Sequence, residues 1–165
     1  RDAETMQHAI SYSETGHLCL STLHAANSDQ AFDRILSFYP ESGYRKLMMD
    51  LAMNLRAVVS QRLVIGKDGK RLPAVEILLG TPYVCDLIQK GELERLKEAM
   101  KQGREVGMQT MDQALFDLYK AGRIDYEEAI KHADSKNDLR LRIRLSEPGS
   151  IDQVSEELSY DQSNR

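Results

Sequence analysis

The 165-residue sequence holds no phosphate loop of the G-x-x-x-x-G-K-[ST] type, so these residues alone supply no cradle of backbone amides and lysine for a nucleoside triphosphate. It has no G-x-S-x-G elbow, which leaves serine-nucleophile chemistry without its frame. Its longest apolar stretches fall far short of the ~20 residues of a transmembrane helix, and no basic-then-apolar leader opens it. Membrane insertion is not expected. Cysteine is scarce. Cys19 and Cys85 form no C-x-x-C pair, and without a secretory signal both read as reduced core thiols in a cytoplasmic protein. A zinc site built from Cys19, His17 and His24 lacks ligand-pair spacing, so no metal site is expected within these residues. Nor is there an excess of positive charge. The net charge of -4 comes from the tail: residues 1–80 carry nine basic and nine acidic groups, 81–145 carry twelve of each, and 146–165 carry one against five. Nucleic acid, whose phosphates need clustered Lys and Arg, is not an expected partner. With 41% hydrophobic and only 6% aromatic residues, the composition is that of an ordinary helix-rich globular domain.

The chain is organised around Thr15-Gly16-His17-Leu18-Cys19-Leu20-Ser21-Thr22-Leu23-His24. Leu18, Cys19 and Leu20 form an unbroken apolar run between polar ends, the pattern of a strand covered on both faces in a parallel α/β sheet. Gly16 suits the left-handed end of a helix over residues 2–15 that feeds straight into this strand. Ligands of open α/β sheets lie beyond the carboxyl ends of strands, which puts Ser21, Thr22 and His24, rather than His17, within reach of one. Seven strand residues at ~3.3 Å each separate the two histidines by ~23 Å, so they need separate roles.

Downstream, Asn27 or Ser28 can cap a second helix, with Ala31, Phe32, Ile35 and Leu36 on one side and a stop near Tyr39-Pro40. A third helix is expected over residues 42–59, carrying Leu47, Met48, Leu51, Leu55, Val58 and Val59 at buried-face spacing. Residues 60–65 and 72–79 read as strands around an Asp68-Gly69 hairpin turn. After Gly80 the pattern becomes helical. Thr81-Pro82 opens a helix with Tyr83, Val84, Leu87 and Ile88 on its apolar face. Leu93, Leu96 and Met100 mark another, and Thr110 with Gln113 and Asp125 with Glu128 form two capping boxes. In residues 136–146, Leu139, Leu141, Ile143 and Leu145 alternate with Arg140, Arg142 and Arg144. That strand periodicity predicts a half-buried strand or an extended arm and rules against an amphipathic helix. The acidic, Ser-rich remainder has little to bury and is expected to be disordered. The fold class is therefore α/β, with an α/β part at 1–80, a helical subdomain at 81–145 and an acidic tail at 146–165.

Thr15-Gly16-His17-Leu18 followed by Thr22-Leu23-His24 resembles the histidine box of the type II/type IV secretion and pilus ATPases. Arg1-Asp2-Ala3-Glu4-Thr5 resembles the tail of that family's Walker B segment. Ala31-Phe32-Asp33-Arg34-Ile35, Val59-Ser60-Gln61-Arg62-Leu63 and Gly107-Met108-Gln109-Thr110-Met111-Asp112 are similar to its pilus-retraction, or twitching-motility, branch of PilT/PilU-like proteins. The likeness covers residues 1–133. Pro82-Tyr83-Val84-Cys85-Asp86-Leu87-Ile88 stands where PilT-like members carry Ala-Ile-Arg-Asn-Leu-Ile, a departure pointing to the PilU-like side of the branch.

The resemblance implies the C-terminal part of a RecA-like P-loop ATPase core followed by a helical subdomain. It implies a cytoplasmic homo-hexameric motor, peripheral at the inner-membrane pilus machinery, that hydrolyses ATP with Mg²⁺ to drive pilus retraction. A related retraction ATPase and the inner-membrane pilus platform protein are its implied partners. The phosphate loop, the Walker B acid and the arginines of a preceding domain would lie upstream, leaving here the far wall of an ATP site that is inactive alone. In that site His24 would meet the γ-phosphate or the attacking water, with Thr22 on the same strand face. His17 would anchor the helix–strand junction or touch a neighbouring subunit's nucleotide. Asp2 and Glu4 would support Mg²⁺ through water or position the Walker B segment, against the simpler reading of helix-start charges. Leu87 and Ile88, the retained end of the retraction motif, would couple the ATPase part to the helical part, although core packing at ~1.5–3 kcal/mol per side chain accounts for them equally. Two rivals stand beside this reading. One is a pilus assembly or type II secretion ATPase of the same superfamily, which usually carries a four-cysteine zinc insertion. The other is a non-catalytic docking module for a partner ATPase ring.

Overall fold

Local capping chemistry sets most of the element boundaries in the computed structural model, which describes residues 2–146. Asp2 starts helix α1 (Ala3–Glu14) by accepting from the Thr5 N–H at 2.8 Å, and Gly16, at φ 86°, follows its end. Asn27 caps α2 (Ser28–Leu36) through its Oδ1, which accepts from the Gln30 N–H at 3.0 Å. A short 3-10 turn leads into α3 (Tyr44–Asn54). Strands β1 (Ala57–Ile65) and β2 (Arg71–Leu79) pair antiparallel, from Ala57 opposite Leu79 to Ile65 opposite Arg71, around a turn in which Gly69 takes φ 75°. Thr81 and Gly91 bound α4 (Pro82–Lys90). There follow α5 (Leu96–Gln102), α6 (Met111–Lys120) with the reciprocal Thr110–Gln113 capping box, α7 (Tyr126–His132) and α8 (Lys136–Ser146).

Five expectations are corrected. Residues 17–23 form no strand: the sheet formed by the described residues contains only β1 and β2, and Leu18 and Leu20 are 76% and 88% exposed. A strand apolar on both faces needs neighbours to take its backbone hydrogen bonds and cover its side chains, and no described residue supplies them. The ~23 Å strand separation of His17 and His24 loses its basis with it. The third helix stops at Asn54, and Val58 and Val59 belong to β1. Here a near-continuous apolar stretch satisfied helix and strand spacing alike, and pairing with β2 decided. Residues 136–146 are helical. Leu139 and Ile143, four apart, are buried, while Leu141 and Leu145 face outward and the Arg142 guanidinium lies over the Phe116 ring at 4.3 Å. Tyr83 leaves the buried face of α4, its hydroxyl accepting from Arg95 at 3.2 Å. The second capping box also fails: Asp125 makes no side-chain cap, and Glu128 instead accepts from the Ile65 N–H of β1 at 2.7 Å. The expected tail disorder falls outside the described residues, apart from Ser146.

Apolar packing joins the hairpin to the helices on both sides of Gly80. One cluster gathers Phe32, Leu47 and Leu51 with Leu78, Leu87, Ile88 and Met100; a second gathers Val64 and Ala74 with Met111, Leu115, Ile130 and Leu139. Gly80 itself sits where the chain passes Leu55, so close that an added Cβ would lie 2.2 Å from the Leu55 carbonyl oxygen.

Candidate functional site

The residues singled out by their position near the histidines fall into three places. Asp2 and Glu4 stand at the start of α1. One Asp2 carboxylate oxygen is committed to the Thr5 N–H, a bond that holds its pKa below the ordinary carboxylate value, and Glu4 reaches His8 at 4.0 Å. Among the described residues no three His, Cys, Asp or Glu side chains gather as a metal site. His17 belongs to the end of the same helix. Its Nδ1 lies 3.0 Å from the Thr15 hydroxyl, its N–H donates to the Tyr12 carbonyl at 3.2 Å, and its ring meets Tyr12 edge-on at 6.0 Å. Thr22 and His24 are exposed in the irregular segment beyond, while Leu23 between them packs onto the first apolar cluster and moors that segment.

Immediately after His24 the chain becomes tied down. The Ala26 N–H donates to Gln30 Oε1 at 3.0 Å, and the Ser28 N–H donates to Glu76 of β2 at 2.7 Å. Glu76 is 1% exposed; burial raises its pKa, against the lowering effect of the Ser28 bonds. The Asn27 amide reaches Asp134 at 3.4 Å. Asp134 pairs with Arg62 of β1 at 2.5 Å and Lys97 of α5 at 3.3 Å; burial pushes its pKa up, but the Arg62 and Lys97 contacts outweigh it and hold the carboxyl low. Sequence reasoning missed this junction. Arg62 stood inside a quoted motif and Glu76 interrupted an apolar strand, but nothing local linked either to Asp134. Leu87 and Ile88 are far from solvent, at 1% and 0% exposure, inside the first apolar cluster.

Residues 1–139 match the type II/IV secretion system protein family. The chain belongs to that family. It is 53% identical over 156 residues to the type IV pilus ATPase PilU of Pseudomonas aeruginosa, covering 94% of this chain and 41% of that protein. It is 35% identical to the type IV pilus retraction ATPase PilT of the same organism, over 81% of this chain and 39% of PilT. Among solved structures, the pilus retraction motor PilT with bound ADP matches at a TM-score of 0.76 and 31% identity, over 85% of this chain and 39% of that one. The chain therefore spans about two-fifths of the length of these relatives, and its fold is that of the C-terminal part of a RecA-like ATPase.

Within the secretion-system fold, two quoted motifs have structural work of their own. In Gly107–Asp112, Gln109 pairs with Ile77 of β2 through backbone bonds of 2.8 and 2.9 Å and donates its side-chain amide to the Val75 carbonyl at 2.7 Å. Thr110 caps α6, and Asp112 accepts from the backbone N–H groups of Asp134 and Ser135 at 2.7 and 3.0 Å, closing the turn between α7 and α8. In Val59–Leu63, Arg62 donates to the His132 carbonyl at 2.6 Å as well as to Asp134.

Proposed function

We propose that this chain is the C-terminal part of a PilU-like hexameric motor ATPase that drives type IV pilus retraction. The observation that carries the reading is the 53% identity to PilU across 94% of the chain, joined to a histidine placed three residues ahead of the α2 cap. ATP with Mg²⁺, bound mainly by a phosphate loop outside these residues, supplies the phosphoryl group. Within this chain, His24 would hydrogen-bond the terminal phosphate or the attacking water, Thr22 would support it, and His17 would brace the exit of α1. Asp2 and Glu4 would hold the start of α1 against the preceding Walker B segment. We place the ATPase core at 1–80 and a helical subdomain at 81–145, with Leu87 and Ile88 transmitting movement between them. Copies of the same chain in a homo-hexamer, a related retraction ATPase and the inner-membrane platform protein are the proposed partners, in the cytoplasm at the inner membrane. No helix among the described residues is long and apolar enough to cross a membrane.

The decisive experiment pairs two readouts on the full-length protein: magnesium-dependent phosphate release in vitro and pilus retraction in cells lacking the native copy. Turnover with restored retraction is expected. Turnover that supports pilus assembly or secretion instead favours the other branch of the superfamily, and restored retraction without any turnover by the purified protein favours a docking module.

A further inference from the structure

The segment that carries His24 is moored by Leu23 on one side and, from Ala26 onward, by hydrogen bonds on the other. Only Ala25 lies between His24 and the first residue bonded into α2, where the Ala26 N–H meets Gln30 at 3.0 Å. The first turn of α2 is then gripped from elsewhere in the fold. Its Ser28 N–H, one of the donors a helix start leaves unpaired, is taken by the buried Glu76. The Asn27 side chain works in two directions, its Oδ1 capping α2 and its Nδ2 reaching Asp134 at 3.4 Å. Asp134, whose side chain is 10% exposed, receives Arg62 from β1 and Lys97 from α5, while its own backbone N–H is fixed by Asp112 of α6.

The helix cap beside the His24 segment is thus connected, through Asp134, to a strand and two further helices: the carboxylate meets Arg62 of β1 and Lys97 of α5, and the backbone N–H meets Asp112 of α6. Apolar contacts tolerate sliding, whereas charge-assisted hydrogen bonds in a poorly solvated site fix direction and distance. Only Ala25 separates His24 from this tied-down start of α2, so a shift of His24 is passed toward Asn27, whose bond to Asp134 at 3.4 Å opposes it.

We propose that Asp134 is a positioning residue for ATP turnover: through Asn27 it holds the His24 segment in register with β1 and α5, without itself touching nucleotide. The proposal rests on the ATPase reading above. It is tested in the full-length protein with Asp134→Asn, which removes the charge at constant shape, and Asn27→Ser, which keeps a capping oxygen but loses the amide that reaches Asp134. Each variant is expected to lower kcat about 10-fold while KM for ATP stays within about twofold, and the double variant to fall no further than the worse single one. Melting curves run alongside. A structural role alone would lower the melting temperature and reduce kcat only in proportion to lost folded protein, and that result overturns the proposal. So do wild-type kcat in both variants and effects that multiply in the double. If Asp134→Asn does not fold, Asn27→Ser decides: a kcat loss at unchanged KM supports the link, and wild-type kcat removes it. An inactive wild-type protein overturns the ATPase reading and this proposal together, whereas an active wild type with unaffected variants overturns this proposal alone.

Discussion

A side chain whose contact with the γ-phosphate or the attacking water strengthens as the transition state forms stabilises that state more than it stabilises bound ATP. In the full-length protein His24→Ala is therefore expected to lower kcat ~10- to 1000-fold with a smaller change in ATP affinity, read from turnover and equilibrium nucleotide binding. His17 is held by Thr15 and Tyr12, so His17→Ala should act mainly by loosening the exit of α1. The reverse pattern, with kcat intact in His24→Ala and abolished in His17→Ala, would move the phosphate contact to the other histidine. Glu76 makes a separate prediction about pH. Burial raises its folded pKa above the ordinary 4.5, so its favourable contribution is complete below that value and is lost as pH rises through the folded pKa. Glu76→Gln keeps an acceptor for Ser28 and cannot ionise. Its stability relative to wild type, measured by urea melts from pH 4.5 to 7.5, should therefore improve as pH rises. Asp134 is shifted the opposite way: its contribution is present above its ordinary 3.8 and is lost only as pH falls through its lower folded value, which lies below this window. A difference that stays flat across the window would mean that Glu76 is charged throughout. None of these buried partnerships could be read from sequence, because Ser28 and Glu76, and Arg62 and Asp134, are tens of residues apart and nothing local to either member names its partner.

Among the elements, α8 shows how one composition serves two periods. Leu139, Leu141, Ile143 and Leu145 occupy every second position, yet the set also contains two pairs four apart, Leu139 with Ile143 and Leu141 with Leu145. Packing against α6 and α7 buries the first pair and leaves the second exposed. Leu139→Ala and Ile143→Ala should each cost about 2–5 kcal/mol, while Leu141→Ala and Leu145→Ala stay within about 0.5 kcal/mol, as followed by chemical melts. Equal losses at all four positions would fit a strand sealed on one face. On α4, the burial of Leu87 is enough to explain it as core, and coupling is an additional claim. In the full-length protein Leu87→Ala should impair retraction in cells while the purified protein still assembles and keeps most of its ATPase activity. If motility, ATPase activity and melting temperature fall together, packing is its whole role. The caps at Asn27, Thr81 and Thr110 were legible because their signals are local, each side chain accepting from an N–H three residues on; Asp2 does the same for α1, where the sequence suggested only a helix-start charge. The Asp125–Glu128 pair carried the same signal, and a strand N–H on Ile65 took the glutamate away.

For the molecule as a whole, residues 1–165 are expected to release no phosphate from magnesium ATP above buffer, since positioning and charge neutralisation by a phosphate loop supply nearly all catalysis in this reaction class. A colorimetric phosphate assay checks this, and turnover that His24→Ala removes would locate a complete site within the chain. The stretch from His17 to Leu23 is left without cover on its Leu18 and Leu20 side chains by the described residues. Its residues have the hydrophobicity of a buried parallel strand, but the sheet among the described residues is only the β1–β2 hairpin, so Leu18 and Leu20 stand in solvent. By itself the sequence determined the family, through short motifs in a fixed order, and the helix starts at Asn27, Thr81 and Thr110 with the turn at Asp68-Gly69, because those depend on bonds between residues a few positions apart. Only the tertiary structure decided where the third helix yields to β1, which face of α8 is buried, and that Asn27, Arg62, Lys97 and Asp112 all meet Asp134. Those outcomes depend on which distant surface is available to cover an apolar face or answer a charge, and that is a property of the assembled fold rather than of any window of sequence.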